Sequence, residues 1–325
     1  MMATALAYPE VSPVTEPVPP PATAPAPVDR CLYLLGRPTL KQVIRFVRIN
    51  AVDRPSTVTV IEAWQRARRL ITRLETEEKG RADGPVITKL GPEYEPLLVE
   101  LLQDPLIKHG FNTLPTQIAL VPLDQLVVYQ RHIDLTHVEG IVARLGTDPA
   151  PEAVFRTCLP TEHHLPPVEW SQVGENKFIF VSPSNDLRSL GPMPLDPENI
   201  RHYPPPGALV GVAGIGVGFG SNFLNTVYAE GRLVLTNGSH RAYALRSLGV
   251  THAPCIVQHV ADRDELELVA SSQVRKDPDL YLKAPRPSML PDYFHPELQL
   301  TLPVHRRARQ VTVRIEVEEE YVPML

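Results

Sequence analysis

The sequence predicts an α+β protein. Strand-like stretches at 118–121, 177–181, 223–228, 232–236, 253–260 and 310–317 are mixed with helical stripes at 40–47, 61–74, 135–145 and 239–248. No regular strand–helix repeat orders them, and 36 prolines against 18 glycines keep the helices short. At ~100–200 residues per domain, 325 residues are enough for about two domains or for one domain with large insertions.

In chain order, residues 1–29 are mostly Pro, Ala, Val and Thr. Such a segment has too little apolar surface to offset the entropy of ordering, so a disordered or polyproline tail is expected. It is a candidate ligand for a proline-reading protein partner. Residues 30–115 read as a helical module. Thr39 caps a first helix with Leu40, Val43, Ile44 and Val47 on one face. Thr57 or Thr59 opens a second, striped by Ile61, Trp64, Ala67, Leu70, Ile71 and Leu74. Arg66, Arg68, Arg69 and Arg73 flank that stripe, but Glu62, Glu75, Glu77 and Glu78 break the patch, which reads as a solvated surface. Residues 93–108 suggest one more helix, ended by Asp104-Pro105.

From 116 to 270 a second domain is expected. Ile118–Val121 is a strand, Gln125–Val128 a short extended piece, and Leu135–Leu145 a helix ended by Gly146. Residues of about 147–210 are proline-rich and read as an insertion or lid, apart from the strand at 177–181. Two strands flank a tight turn at Ala229-Glu230-Gly231, and a helix at 239–248, a strand at 253–260 and the start of a helix at 265–269 follow. Residues 271–325 read as a C-terminal extension ending in the alternating strand 310–317.

Composition narrows the function. The net charge of −5 excludes a chain-wide basic footprint for nucleic acid, which makes DNA an unlikely partner. Cys31, Cys158 and Cys255 form no CxxC, which excludes a Cys-only zinc site and fits a reducing, cytoplasmic setting. No apolar run reaches the ~18 residues of a membrane span, and the N-terminus lacks the pattern of a secretory signal.

The segment with the most chemistry is Arg232 to Gly249, a strand, a tight turn and a helix. Asn237-Gly238 supplies the positive φ of the turn, and Ser239 stands where an N-cap belongs. His240 and Arg241 open the first turn, where free N–H groups and the positive end of the helix dipole converge. Two basic residues are disfavoured there unless an anion is expected, so the arrangement reads as a phosphate cradle.

This segment resembles the nucleotide-binding motif of the ParB/sulfiredoxin superfamily. Gly238-Ser239-His240-Arg241 stands where sulfiredoxins carry Gly-Cys-His-Arg and partition proteins carry Gly-Glu-Arg-Arg. Upstream, Val121 to Arg131 resembles the first ParB box, and the helix Thr136–Leu145 follows in place. The two matches cover about 118–146 and 223–260. The resemblance implies a ParB/sulfiredoxin-like domain that binds the phosphates of a nucleoside triphosphate, ATP first, with Mg²⁺ bridging their oxygens. Asn237, Gly238, Ser239, His240 and Arg241 would bind, with Arg131 as a further ligand; His240 and Arg241 would neutralise the transferring group. Ser239 replaces the sulfiredoxin cysteine and excludes sulfinate repair. Tyr129 and Gln130 stand where superfamily kinases carry a catalytic glutamate, leaving Asp134 and Glu139 as nearby carboxylates. The expected function is an NTP-dependent phosphotransferase, hydrolase or switch. The alternative is a non-catalytic interaction module with a vestigial cleft.

Other signals are weaker. Gly214, Gly216, Gly218 and Gly220 form a G-x-G-x-G-x-G run that reads either as a flap or as a strand with one glycine face. Glu162-His163-His164 and His252/His259 have no standard metal-ligand spacing. Ser184 to Arg188 reads as an Asx turn.

Overall fold

The computed structural model describes residues 27–196 and 210–323; the sequence-predicted tail falls almost wholly outside them, as does part of the 147–210 segment. In chain order come β1 (Val28–Leu34), α1 (Leu40–Asn50), α2 (Thr57–Glu77), β2 (Thr88–Lys89), α3 (Glu95–Leu101) and α4 (Pro105–Gly110). Next are β3 (Thr116–Pro122), β4 (Val127–Val128), β5 (His132–Asp134), α5 (Leu135–Leu145) and α6 (Pro151–Cys158). β6 (Glu169–Gln172), β7 (Lys177–Ser182), β8 (Leu187–Leu195), β9 (Val212–Phe219), β10 (Asn225–Ala229) and β11 (Arg232–Asn237) follow. Then come α7 (Ser239–Ser247), β12 (His252–His259), α8 (Leu266–Val269), α9 (Ser272–Lys276), α10 (Asp279–Leu282), β13 (Gln299–His305) and β14 (Arg309–Arg314). The class is mixed α+β, and no helix among the described residues is long and apolar enough to cross a membrane.

The chain divides into two compact units. The larger is Ala26–His163 with Ser221–Arg306. Its main sheet has the order β2-β3-β12-β10-β11-β4. β12 is antiparallel to β3 and parallel to β10, and β11 is antiparallel to β10 and parallel to β4. Glu230 at φ 47° and Gly231 at φ 78° make the tight turn between β10 and β11, as two positive φ angles require in a twisted two-residue hairpin. A smaller sheet of this unit has β1 between β13 and β5. The smaller unit holds the described residues of 164–220 and those from Arg307 on. It contains the sheet β14-β7-β6 and the ribbon β8-β9.

Several boundaries differ from the sequence reading. β1 begins inside the predicted tail and is central in its sheet. It is buried on both faces from Cys31 to Leu34, so it lacks the alternation that marks a half-buried strand. Residues 30–115 do not form a separate helical module. Leu32, Val43, Ile71 and Leu101 share one apolar core with Val121, Leu235 and Leu245, and β2 joins the main sheet. Asp104-Pro105 starts a helix instead of ending one. Asp104 caps α4 through the Leu106 N–H at 2.8 Å, and proline suits the first helical position, where no N–H is needed. Within 147–210, Pro151 likewise opens α6, whose Val154, Phe155 and Cys158 are buried in the larger unit. The 271–325 segment is divided. Tyr281, Met289, Tyr293 and Leu302 are buried in the larger unit, whereas β14 pairs with β7 in the smaller one.

Helices α1 and α2 match the sequence reading closely. Thr39 and Gln42 form a reciprocal capping box at α1. The α2 cap is Ser56, one residue before the expected start. α5 runs over Leu135–Leu145 and ends at Gly146 with φ 74°. The glycine run is strand β9. A Cβ at Gly216 would stand 2.8 Å from Met193 Cε, so its bare face is covered by β8 side chains.

Candidate functional site

β11 leaves the sheet at Asn237, which builds the turn into α7. Its Oδ1 accepts from the Gly238 N–H at 2.7 Å, and its Nδ2 donates to the Ser221 carbonyl at 2.7 Å. Gly238 has φ 93°, and a Cβ there would meet Leu224 Cδ1 at 2.5 Å and Leu224 Cα at 3.2 Å. Backbone angle and space both demand glycine. Gly238 is the N-cap of α7. Ser239, expected as the cap, is instead the first helical residue and is buried. The cap therefore has no side chain to accept from the first-turn N–H groups.

His240 points toward the first turn of α5. Its ring meets the His137 ring edge-on, with centroids 5.3 Å apart. Its Nε2 is buried with no hydrogen-bond partner among the described residues. Burial is the main reason its pKa is pushed down to about 3, and nearby His137, His132 and Arg241 push the same way. His132 and His137 keep exposed edges, yet burial by the surrounding protein lowers both, with Asp134 opposing the shift. The result is a group of neutral imidazoles beside an uncapped helix start. Perturbed titratable groups of this kind concentrate at functional sites.

Arg241 is placed differently from the sequence reading. Its guanidinium turns inward, and Nη1 donates to the carbonyls of Thr157 at 3.4 Å, Cys158 at 3.3 Å and Asn222. Thr157 and Cys158 end α6, so the cation sits at the negative end of that helix. It lowers the His240 pKa through space. The charge of Arg131 is felt at Tyr33 and at Tyr281. It is not among the charges that shift His240.

The two nearby carboxylates are already engaged. Asp134 caps α5 through the His137 N–H at 3.0 Å, and Glu139 pairs with Arg30. Tyr129 and Gln130 serve the backbone. Tyr129 donates to the Thr236 carbonyl at 2.8 Å and Gln130 to the His132 carbonyl at 2.8 Å. Cys158 and Cys255 lie near Arg241, but burial raises both thiols, Cys158 to about 12, so neither supplies a thiolate.

Sequence reasoning missed His132 and His137. The signal was present in His132-Ile-Asp-Leu-Thr-His137, where two imidazoles bracket an Asp cap. Two other histidines make ordinary contacts. His163 bonds Asp104 at 2.6 Å and stands edge-on to Phe223, and His259 meets Gln117 at 2.8 Å. Ser184 accepts from the Asp186 N–H at 3.2 Å, a turn within the smaller unit. Among the described residues, no group of three His, Cys, Asp or Glu side chains is placed to hold a metal ion.

Comparisons with protein-family models, with curated proteins and with solved structures found no match for this chain.

Proposed function

We propose that the protein binds the phosphate groups of a nucleoside triphosphate at the start of α7. The observation that carries this reading is the buried, unpartnered Nε2 of His240 beside the uncapped N-terminus of a nine-residue helix. A phosphate oxygen there would accept from the ring N–H and from first-turn backbone N–H groups, and it would meet the positive end of the helix dipole. The group fits these residues: one orphaned ring nitrogen that donates in the tautomer protonated there, one helix start whose cap has no side chain, and two further imidazoles that gain charge beside an anion. The order of elements supports a ParB/sulfiredoxin-like assignment as well. β3 and β4 lead to α5, and the hairpin β10–β11 leads through Gly238 into α7 and β12.

Asn237 and Gly238 shape the turn. His240 contacts the anion, with His137 beside it. Arg241 acts from beneath the turn as a fixed charge. A Mg²⁺ ion would be held by phosphate oxygens and water, the usual habit of this cation. Because Asp134 and Glu139 are engaged elsewhere, the site favours binding and sensing of a nucleotide over phosphoryl transfer.

Calorimetric titration with ATP, ADP, CTP and GTP, each with Mg²⁺, tests the reading. We expect one triphosphate to bind wild type and to lose at least tenfold in affinity in His240→Leu. Arg246→Ala should bind like wild type, since Arg246 pairs with Asp124 and lies over the Phe294 ring at the far end of the helix. Absence of binding by folded wild type, or equal affinity in His240→Leu, rejects the site.

A further inference from the structure

A second candidate site in the larger unit is independent of the phosphate reading. Between α3 and α4 on one side and β3 and β12 on the other lies a hollow of about 390 Å³. Leu98, Leu102, Ile107, Phe111, Ile118 and Ile256 supply its apolar wall, and Lys108 and Thr116 are its polar members. Helix α4, Pro105 to Gly110, explains why the space is open. Two of its six residues are aliphatic, yet none of its residues is buried. Leu102, 45% exposed, carries apolar surface from solvent into the wall of the hollow. An apolar concavity that opens to solvent in this way is a candidate binding surface.

We propose that this hollow binds a medium-chain monocarboxylate, with the alkyl chain among the apolar residues and the carboxylate at Lys108. The volume lies at the small end of the ~300–1,000 Å³ of ligand sites, which are mostly apolar with a few placed polar groups. A hollow of this size has room for a single alkyl chain. Among the described residues Lys108 is the one charged residue lining the hollow, and its Nζ donates to the neutral Gln103 side chain at 3.1 Å. Its charge therefore selects an acid over an amine. Thr116 donates to the Leu114 carbonyl at 2.8 Å.

The test is titration of the full chain with decanoate below its micelle concentration, beside decanol and decyltrimethylammonium. We expect saturable decanoate binding, at least tenfold tighter than the quaternary amine. Lys108→Glu should reverse that order while leaving decanol unchanged. Thr116→Trp, at an exposed strand position, should fill the mouth and weaken both decanoate and decanol at least tenfold. Circular dichroism and a melting curve confirm that each variant is folded. No saturable binding by wild type overturns the proposal, as does binding that neither variant alters. A Leu-rich peptide that binds in a Thr116-dependent way while decanoate does not would overturn it in favour of a peptide partner.

Discussion

Helices α5 and α7 start within reach of each other but solve the same electrostatic problem differently. α5 begins at Asp134, whose carboxylate accepts from the His137 N–H at 3.0 Å and places a negative charge at the positive end of the dipole. α7 begins at Gly238, which offers no side chain, and the nearest ionisable groups are imidazoles and a guanidinium. One helix carries its own anion. The other has a cap residue that makes no side-chain hydrogen bond to its first turn. The difference teaches that a helix start gains meaning as a site only from what surrounds it. Here an orphaned ring nitrogen and neighbouring imidazoles are the reason the external anion is proposed at α7 and not at α5.

The most severe way to break the comparison is at the turn. Gly238→Ala forces a side chain into φ 93° and against Leu224. A left-handed alanine costs roughly 1–2 kcal/mol, and overpacking adds roughly 1–3 kcal/mol, so a loss of about 3 kcal/mol in urea unfolding is expected. The matching change in α5 has the opposite sign. Gly140 has ordinary helical geometry, and a Cβ there meets only Arg144 Nη1 at 3.8 Å. Gly140→Ala should stabilise by about 0.5–1 kcal/mol through helix propensity and a less flexible unfolded chain. Arg241→Met should cost about 2–4 kcal/mol, because it leaves the α6 carbonyls without their donor in the buried interior. An Arg241→Met variant that melts like wild type would show that the guanidinium holds no structure and is available to a ligand.

Titration sharpens the comparison next. His240 has a folded pKa of about 3 against an ordinary value of 6.5. The unfolded chain therefore binds the proton first, and stability is full above pH 6.5 and falls as the pH drops toward 3. At pH 5 this one group costs about 2 kcal/mol relative to pH 8. His132 and His137, lowered for the same reason, steepen the loss. Unfolding of His240→Leu should show a shallower acid limb than wild type between pH 6.5 and 4. A bound phosphate favours the charged form of all three lowered rings, so nucleotide affinity should rise on acidification, and the rise should be smaller in His240→Leu. Parallel acid limbs in the two proteins would place the titrating group elsewhere.

These residues also show what could be read from the sequence. The turn Asn237-Gly238 and the helix that follows were legible, because left-handed backbone and glycine go together. α1, α2 and α5 were legible from caps and apolar stripes. The direction of the Arg241 side chain was not. It depends on where α6 ends, and α6 was hidden among prolines that serve as first-turn residues. β1 was hidden for a related reason, since a strand buried on both faces looks like any short apolar run. The role of His137 needed the packing of α5 against α7, a contact between residues about a hundred positions apart. Local chemistry could be read from local sequence, whereas the orientation of the side chains at the site was fixed by distant partners.

The smallest expected effect tests the capped helix itself. Asp134→Ala removes the side chain that accepts from the His137 N–H, and an N-cap loss of this type costs about 1 kcal/mol. It also removes the charge that opposes the lowering of His132 and His137. Their pKa values should therefore fall further, which proton NMR of the ring signals can follow. If α7 is the anion site and α5 is not, the variant should keep wild-type nucleotide affinity or bind slightly more tightly, since a nearby carboxylate no longer repels the phosphate. If Asp134 is instead part of the reacting machinery, as the sequence alone allowed, turnover of a bound triphosphate should collapse while binding persists. The two helix starts would then belong to one site, one supplying the anion cradle and the other the base.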